Sequence, residues 1–100
     1  MLNYTPRERL LDPQGRPYFL WDSDTSLERY LELLRDPNPE IRAYMIGKTM
    51  RQAKPDDVFQ FVTLSEIEAL WPQIVPYLGK SREFWIWLLG KWREQSRAAG

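Results

Sequence analysis

The chain has 100 residues, the size of one domain. Apolar residues make up 43% and charged residues 28%, a balance found in folded soluble domains and not in disordered tails. Lys plus Arg and Asp plus Glu stand at 14 each, so net charge draws the chain toward neither nucleic acid nor a membrane surface, and the absence of Cys and His excludes disulfides, thiolate chemistry, ordinary zinc sites and His-based triads.

No apolar run approaches the roughly 20 residues of a membrane-spanning helix, and the first residues lack the apolar stretch of a secretion signal. A cytoplasmic protein is expected. The five Trp residues are a heavy load for this length and should supply much of the core.

Residues 1–25 read as an irregular N-terminal arm. Within it, Asp12-Pro13-Gln14-Gly15 has the composition of a tight turn: Asp opens it, Pro presets φ, and Gly accepts a positive φ. Leu10 and Leu11 before it, and Tyr18 to Trp21 after it, make a short hairpin plausible, with Pro17 restricting the second strand to an edge.

Residues 26–96 read as a helical domain. Thr25 or Ser26 caps a first helix in which Leu27, Tyr30, Leu31 and Leu34 share a face. Asp36-Pro37-Asn38-Pro39 stops it, and Asn38 caps a second helix, with Pro39 at its first position, running to about Ala53. Pro55 and Asp56 open a third carrying Val58, Phe59 and Phe61. Thr63-Leu64-Ser65-Glu66 is a capping-box pattern that starts a fourth through Trp71. Pro72 and Pro76 break the following stretch into single turns ending at Gly79. Ser81 caps the last helix, whose stripe is Phe84, Trp85, Leu88, Leu89 and Trp92, with residues 97–100 a frayed tail. The expected fold is all-α, a compact orthogonal bundle of five or six short helices with the arm or hairpin laid across it. Its core is expected to be Leu31, Leu34, Met45, Ile46, Phe59, Phe61, Ile67, Leu70, Trp71, Trp85, Leu88 and Trp92.

Few side chains offer chemistry. Asp22 and Asp24 lie one residue apart, but a calcium loop needs further oxygen ligands and a bidentate Glu that this frame lacks. The pair is expected to solvate the turn and favour the helix N-terminus after it, as Asp56-Asp57 is expected to do after Pro55. No metal ligand set, cofactor motif or catalytic residue is identified, and the chain is not expected to be an enzyme. The segment from Asp56 to Trp71 has a helix-turn-helix outline, yet residues 55–78 contain no Lys or Arg and four carboxylates, which phosphates would repel. Basic residues concentrate in segments 39–54 and 79–97. The alternative function, a nucleic-acid-binding accessory domain, rests on those two segments.

Two helical-wheel positions stand out. Arg42 falls within the apolar arc of Met45, Ile46, Thr49, Met50 and Ala53, so it is expected to be at least partly buried and bonded either in a structural ion pair with Asp36 across the loop or to the carbonyls ending the first helix. Ile86 and Trp87 lie off the main stripe of the last helix, with Gly90 leaving a notch beside Trp87. An exposed Trp beside a Gly is the profile of an interface anchor. Either the arm covers this ring, through Phe19, Leu20 or Trp21, or a partner or a second copy does.

The segment from Leu33 to Arg42, with its Asp36-Pro37-Asn38-Pro39 turn, resembles the inter-helix turn of a HEAT repeat, and that resemblance implies a structural bond between Asp36 and Arg42. It occurs once, without the second copy that a solenoid requires. Phe19-Leu20-Trp21-Asp22, Ile46-Gly47-Lys48, Pro55-Asp56-Asp57-Val58-Phe59, Leu70-Trp71-Pro72 and Phe84-Trp85 together resemble a group of small uncharacterised bacterial helical proteins. Members of that group look like partners of abortive-infection nucleotidyltransferase toxins. The resemblance implies a non-enzymatic protein-interaction domain in a toxin–antitoxin system, antitoxin-like or accessory.

Overall fold

The Asp12 turn forms as its residues require. The Asp12 carboxylate accepts from the backbone N–H groups of Gln14 and Arg16, both at 2.9 Å, and from Arg16 Nε at 2.8 Å, while Gly15 takes φ +80°. Backbone hydrogen bonds from Arg16 and Gln14 and the nearby guanidinium of Arg16 hold Asp12 below the usual carboxylate range, against a smaller opposing effect of burial. No strands grow from this turn. The hairpin reduces to one antiparallel bridge between Leu11 and Pro17, because Pro17 has no N–H to extend a ladder and the chain coils at once into a 3-10 turn, Tyr18–Leu20.

A computed structural model describes residues 3–99, with side chains through Gln95. Among the described residues the fold is all-α, as expected, with seven helices: α1 (Arg7–Leu10), α2 (Leu27–Leu34), α3 (Pro39–Gln52), α4 (Pro55–Phe61), α5 (Leu64–Ala69), α6 (Trp71–Ile74) and α7 (Arg82–Ala99). Single 3-10 turns at Val75–Tyr77 and Gly79–Ser81 link α6 to α7. The count exceeds six because the arm contains one helical turn, α1, and because α5 ends at Ala69, with Trp71-Pro72 opening a separate turn. α7 extends to Ala99, into the stretch expected as a frayed tail; Gly100 lies outside the described residues.

The helix starts follow their caps. Ser26, not Thr25, accepts from Arg29 N at 3.2 Å; Asn38 Oδ1 accepts from Glu40 N at 3.0 Å; Thr63 Oγ1 accepts from Glu66 N and donates to the Glu66 carboxylate, both at 3.1 Å. Ser81 departs from the expected role. Its hydroxyl donates to the Leu78 carbonyl at 2.6 Å inside a turn that runs directly into α7, so that turn rather than a side-chain acceptor leads into the helix.

α3 is the centre of the molecule. Residues 45–50 are buried without interruption, so the middle of this helix is enclosed on all sides, while Tyr44 and Arg51 at its edges stay exposed. α2 and α6 pack along it, and Gly47 permits the closest approach: a Cβ there would lie 2.7 Å from Tyr77 Cβ and 3.4 Å from the Ile74 carbonyl oxygen. Thr49 Oγ1 donates to the Met45 carbonyl at 2.8 Å and accepts from Tyr30 OH at 2.7 Å, satisfying both hydroxyls without water. Burial pushes the Tyr30 phenol well above its usual range, against a weaker opposing effect of the bond to Thr49. At the C-terminus of α3, Trp85 Nε1 donates to the Met50 carbonyl at 2.8 Å. That oxygen is among the last four of the helix, which lack intrahelical partners, so the indole both fills the core and caps α3.

The arm belongs to this core more than its sequence implies. Phe19 and Leu20 are fully buried, and the Phe19 ring packs at 5.3 Å from Tyr30 and 5.8 Å from Phe61. Of the expected core, Leu34, Met45, Ile46, Ile67 and Trp85 are buried, whereas Leu31 is 39% exposed and Leu33 packs inward in its place. Arg42 is half-buried, but it makes no ion pair with Asp36. Its Nη1 donates to the carbonyls of Asp36 (2.7 Å) and Pro37 (3.2 Å), while the Asp36 carboxylate accepts from Asn38 N at 2.9 Å. The loop after α2 presents carbonyls that need donors, and the Asp36 side chain is already committed to its own turn.

Candidate interaction surface

α7 divides its side chains among three directions. Trp85 and Leu89 point into the core. Phe84, Leu88 and Trp92 lie on the flank facing α4, where Phe59 meets Trp92 with ring centroids 4.5 Å apart. Ile86, Trp87 and Gly90 occupy the outer face, and Ile86 and Trp87 are 49% and 58% exposed. Phe84 stands 6.2 Å from Trp87, centroid to centroid, which extends the apolar surface around the helix. A Cβ at Gly90 would meet nothing within 4 Å, so nothing in this chain requires a glycine there. The arm does not cover Trp87: Phe19 and Leu20 are in the core, and Trp21 is itself 71% exposed.

Between the α4-facing flank of α7 and the start of α4 runs a groove of about 790 Å³. Phe59, Phe84, Leu88 and Trp92 form its apolar walls, with Asn3, Lys54, Asp56 and Gln95 among its polar rim.

Asp56 and Asp57 have different fates, although the sequence reads both as dipole partners at one helix start. Asp56 accepts from Asn3 N at 2.9 Å. Asp57 is wholly buried and accepts from Thr5 N at 2.7 Å, from Gln60 Nε2 at 2.8 Å, and from the hydroxyls of Thr5 and Tyr18. Burial pushes the carboxyl up, yet the bonds from Thr5, Tyr18 and Gln60 outweigh it and hold Asp57 below the usual carboxylate range. Tyr18 moves the other way, to about 12, through burial and its bond to that carboxylate. Tyr18 OH also accepts from Lys54 N at 2.9 Å, joining the arm, the α3–α4 loop and α4.

Asp22 and Asp24 separate. Asp22 pairs with Lys48 Nζ at 3.1 Å, and Asp24 reaches Arg16 at 3.5 Å. Lys48 is only 8% exposed and sits 5.9 Å from the Tyr44 ring centroid. Burial raises the Asp22 carboxyl, but Lys48 and Gln52 together hold it below its usual range. Trp21, next to Asp22, and Tyr44, one helical turn before Lys48, are both exposed.

Most of the first basic segment, 39–54, is engaged within the chain, and one residue of the second. Arg42 is bound to carbonyls, Lys48 is paired, and Arg51 donates to the Tyr77 carbonyl at 3.3 Å. In α7, Arg93 pairs with Glu68 at 3.2 Å. No helix among the described residues is long and apolar enough to cross a membrane. No family model, no curated protein and no solved structure matches this chain.

Proposed function

We propose that the chain is a non-enzymatic protein-interaction domain that binds its partner through the outer face of α7. The observation that carries this reading is the exposure of Ile86 and Trp87 side by side on a helix whose opposite face is already buried. A monomer gains nothing by wetting these groups, and Trp is enriched among side chains that anchor interfaces. Gly90 lets a partner approach the helix backbone beside the ring. The resemblance to small bacterial helical proteins supports a nucleotidyltransferase toxin as the partner and an antitoxin-like or accessory cytoplasmic role for the chain. Self-association through the same face is the competing outcome. The engagement of Arg42, Lys48, Arg51 and Arg93 by groups of this chain weighs against a phosphate-binding stripe.

The test is Trp87→Ala. The ring is mostly outside the core, so the variant should keep its fold while association weakens by about 2 kcal/mol or more. Calorimetry against a co-encoded toxin-type protein reads the partner, and sedimentation of the chain alone reads self-association. Unchanged association in both, with the protein folded, refutes the assignment of this face.

A further inference from the structure

The outer face of α7 carries charges whose signs reverse about Trp87. Neighbouring residues on a helix are about 100° and about 1.5 Å apart, so Trp87 stands diametrically opposite the midpoint of the buried Trp85 and Leu89. Glu83, Lys91 and Glu94 fall within about 40° of Trp87 on that face, and Lys80 precedes them in the turn that leads into the helix. All four are exposed, and no ion pair among the described residues uses any of them. Glu83 lies four residues before Trp87 and Lys91 four after; Lys80 lies seven before and Glu94 seven after. Opposite charges thus stand at equal distances on either side of one exposed ring. Within the chain the members of these pairs are about 12 Å and about 21 Å apart along the axis, too far to meet.

We propose that a second copy of this chain covers the face, with the two α7 helices antiparallel and the two-fold axis passing at Trp87. That arrangement sets Trp87 against its own symmetry mate, Glu83 level with Lys91 of the second copy, and Lys80 level with Glu94 of the second copy. Each charge pair then occurs twice, as an isologous interface requires. Phe84, 42% exposed, comes level with Gly90 of the second copy, which has no side chain to crowd the ring. Other pairings of the same face oppose like charges. Trp87 against Gly90 sets Glu83 against Glu94; Trp87 against Phe84 sets Lys80 against Lys91; a parallel pair sets every charge against itself. Like charges so placed suppress the wrong pairing. A single helix face belongs with the small, transient interfaces of under about 1,200 Å², so the dimer exchanges readily. The inference rests on the reading of this face as a docking surface and names its occupant in the free protein, a second copy that the partner displaces.

Sedimentation equilibrium of the full chain at about 20 mM salt, where exposed charges are weakly screened, tests it. Wild type should dimerise with a micromolar Kd, and Trp87→Ala should raise that Kd about thirtyfold or more. Glu83→Lys and Lys91→Glu should each raise it about tenfold, because each creates two repelling pairs per dimer. The double variant, Glu83→Lys with Lys91→Glu, should return to within about threefold of wild type, a rescue that cannot arise inside one chain. Circular dichroism verifies that every variant is folded. Wild type that stays monomeric at about 1 mM overturns the proposal. If Trp87→Ala then still weakens binding of the co-encoded toxin-type protein, the docking face stands without the dimer; if it does not, both readings fall. A dimer indifferent to the single charge reversals, or not restored by the double variant, overturns the two-fold at Trp87.

Discussion

Replacing Gly with Ala should have opposite signs in α3 and α7. Both glycines are helical, and at an unobstructed helix position the change stabilises by about 0.4–1 kcal/mol, through chain entropy and helix propensity. At Gly90 nothing lies within 4 Å of the added Cβ, so Gly90→Ala should realise that gain in full. At Gly47 the added carbon would lie 2.7 Å from Tyr77 Cβ, an atom fixed to the backbone of the Val75–Tyr77 turn. Ordinary contact needs roughly 3.5–4 Å between carbons, so the turn must retreat by about 1 Å from a helix whose middle is buried on all sides. Overpacking of a tight core costs about 1–3 kcal/mol, and a site that cannot yield belongs at the upper end. Set against the propensity gain, the net loss for Gly47→Ala should be about 1–2 kcal/mol. Urea unfolding followed by Trp fluorescence and by helical circular dichroism measures both variants. In a domain of this size each kcal/mol moves Tm by about 4–8 °C. If Gly47→Ala is neutral or stabilising, the close approach of α3 and the Tyr77 turn is wrong, and with it the packing of α6.

Asp57→Asn should destabilise by about 2–3 kcal/mol at neutral pH, since the amide presents donors to Thr5 and Tyr18, which are themselves donors. Because the folded protein holds this carboxyl below its usual range, the stability it contributes is complete above the unfolded value near 3.8 and is lost as pH falls through the lower folded value. Wild type should therefore lose more stability than Asp57→Asn between about pH 4 and pH 2, as read by urea midpoints across that range. Trp85→Phe keeps much of the buried ring but leaves the Met50 carbonyl without its donor, and should cost about 1–3 kcal/mol; Trp85→Ala should cost about 3–5 kcal/mol and leave little folded protein at 37 °C. Thermal melts separate the two. Lys48→Met should cost less than about 1 kcal/mol, since the half-exposed Asp22 left behind can take up water, and a loss of several kcal/mol would show that Asp22 depends on its partner.

Helix boundaries were legible in the chain because they are set locally. Ser26, Asn38-Pro39, Lys54-Pro55 and Thr63–Glu66 act within one turn of themselves, and α2 to α5 begin where those residues place them. That Ile86 and Trp87 lie off the buried stripe was legible for a similar reason, since helical periodicity turns positions 86 and 87 away once Trp85 and Leu89 face inward; whether the arm covered them was not. Leu31 and Leu33 mark where that reasoning ends. Both fit an apolar stripe in an eight-residue helix, and only the angle at which α2 meets α3 selects between them.

Sequence alone determined an all-α domain without thiol or imidazole side chains, the order of its main helices and the off-stripe position of Ile86 and Trp87, since composition and short-range periodicity decide those properties. Tertiary structure decided the rest. It drew Phe19 and Leu20 into the core, gave Arg42 carbonyls instead of a carboxylate, and enclosed the middle of α3 so fully that Lys48 and Gly47 became packing residues. It also divided Asp56 from Asp57, neighbours in the chain, by placing Thr5 and Tyr18 from 52 and 39 residues away around only the second. No local pattern encodes such partners, because the burial and hydrogen bonding of a charged side chain depend on which distant segments the fold brings to it.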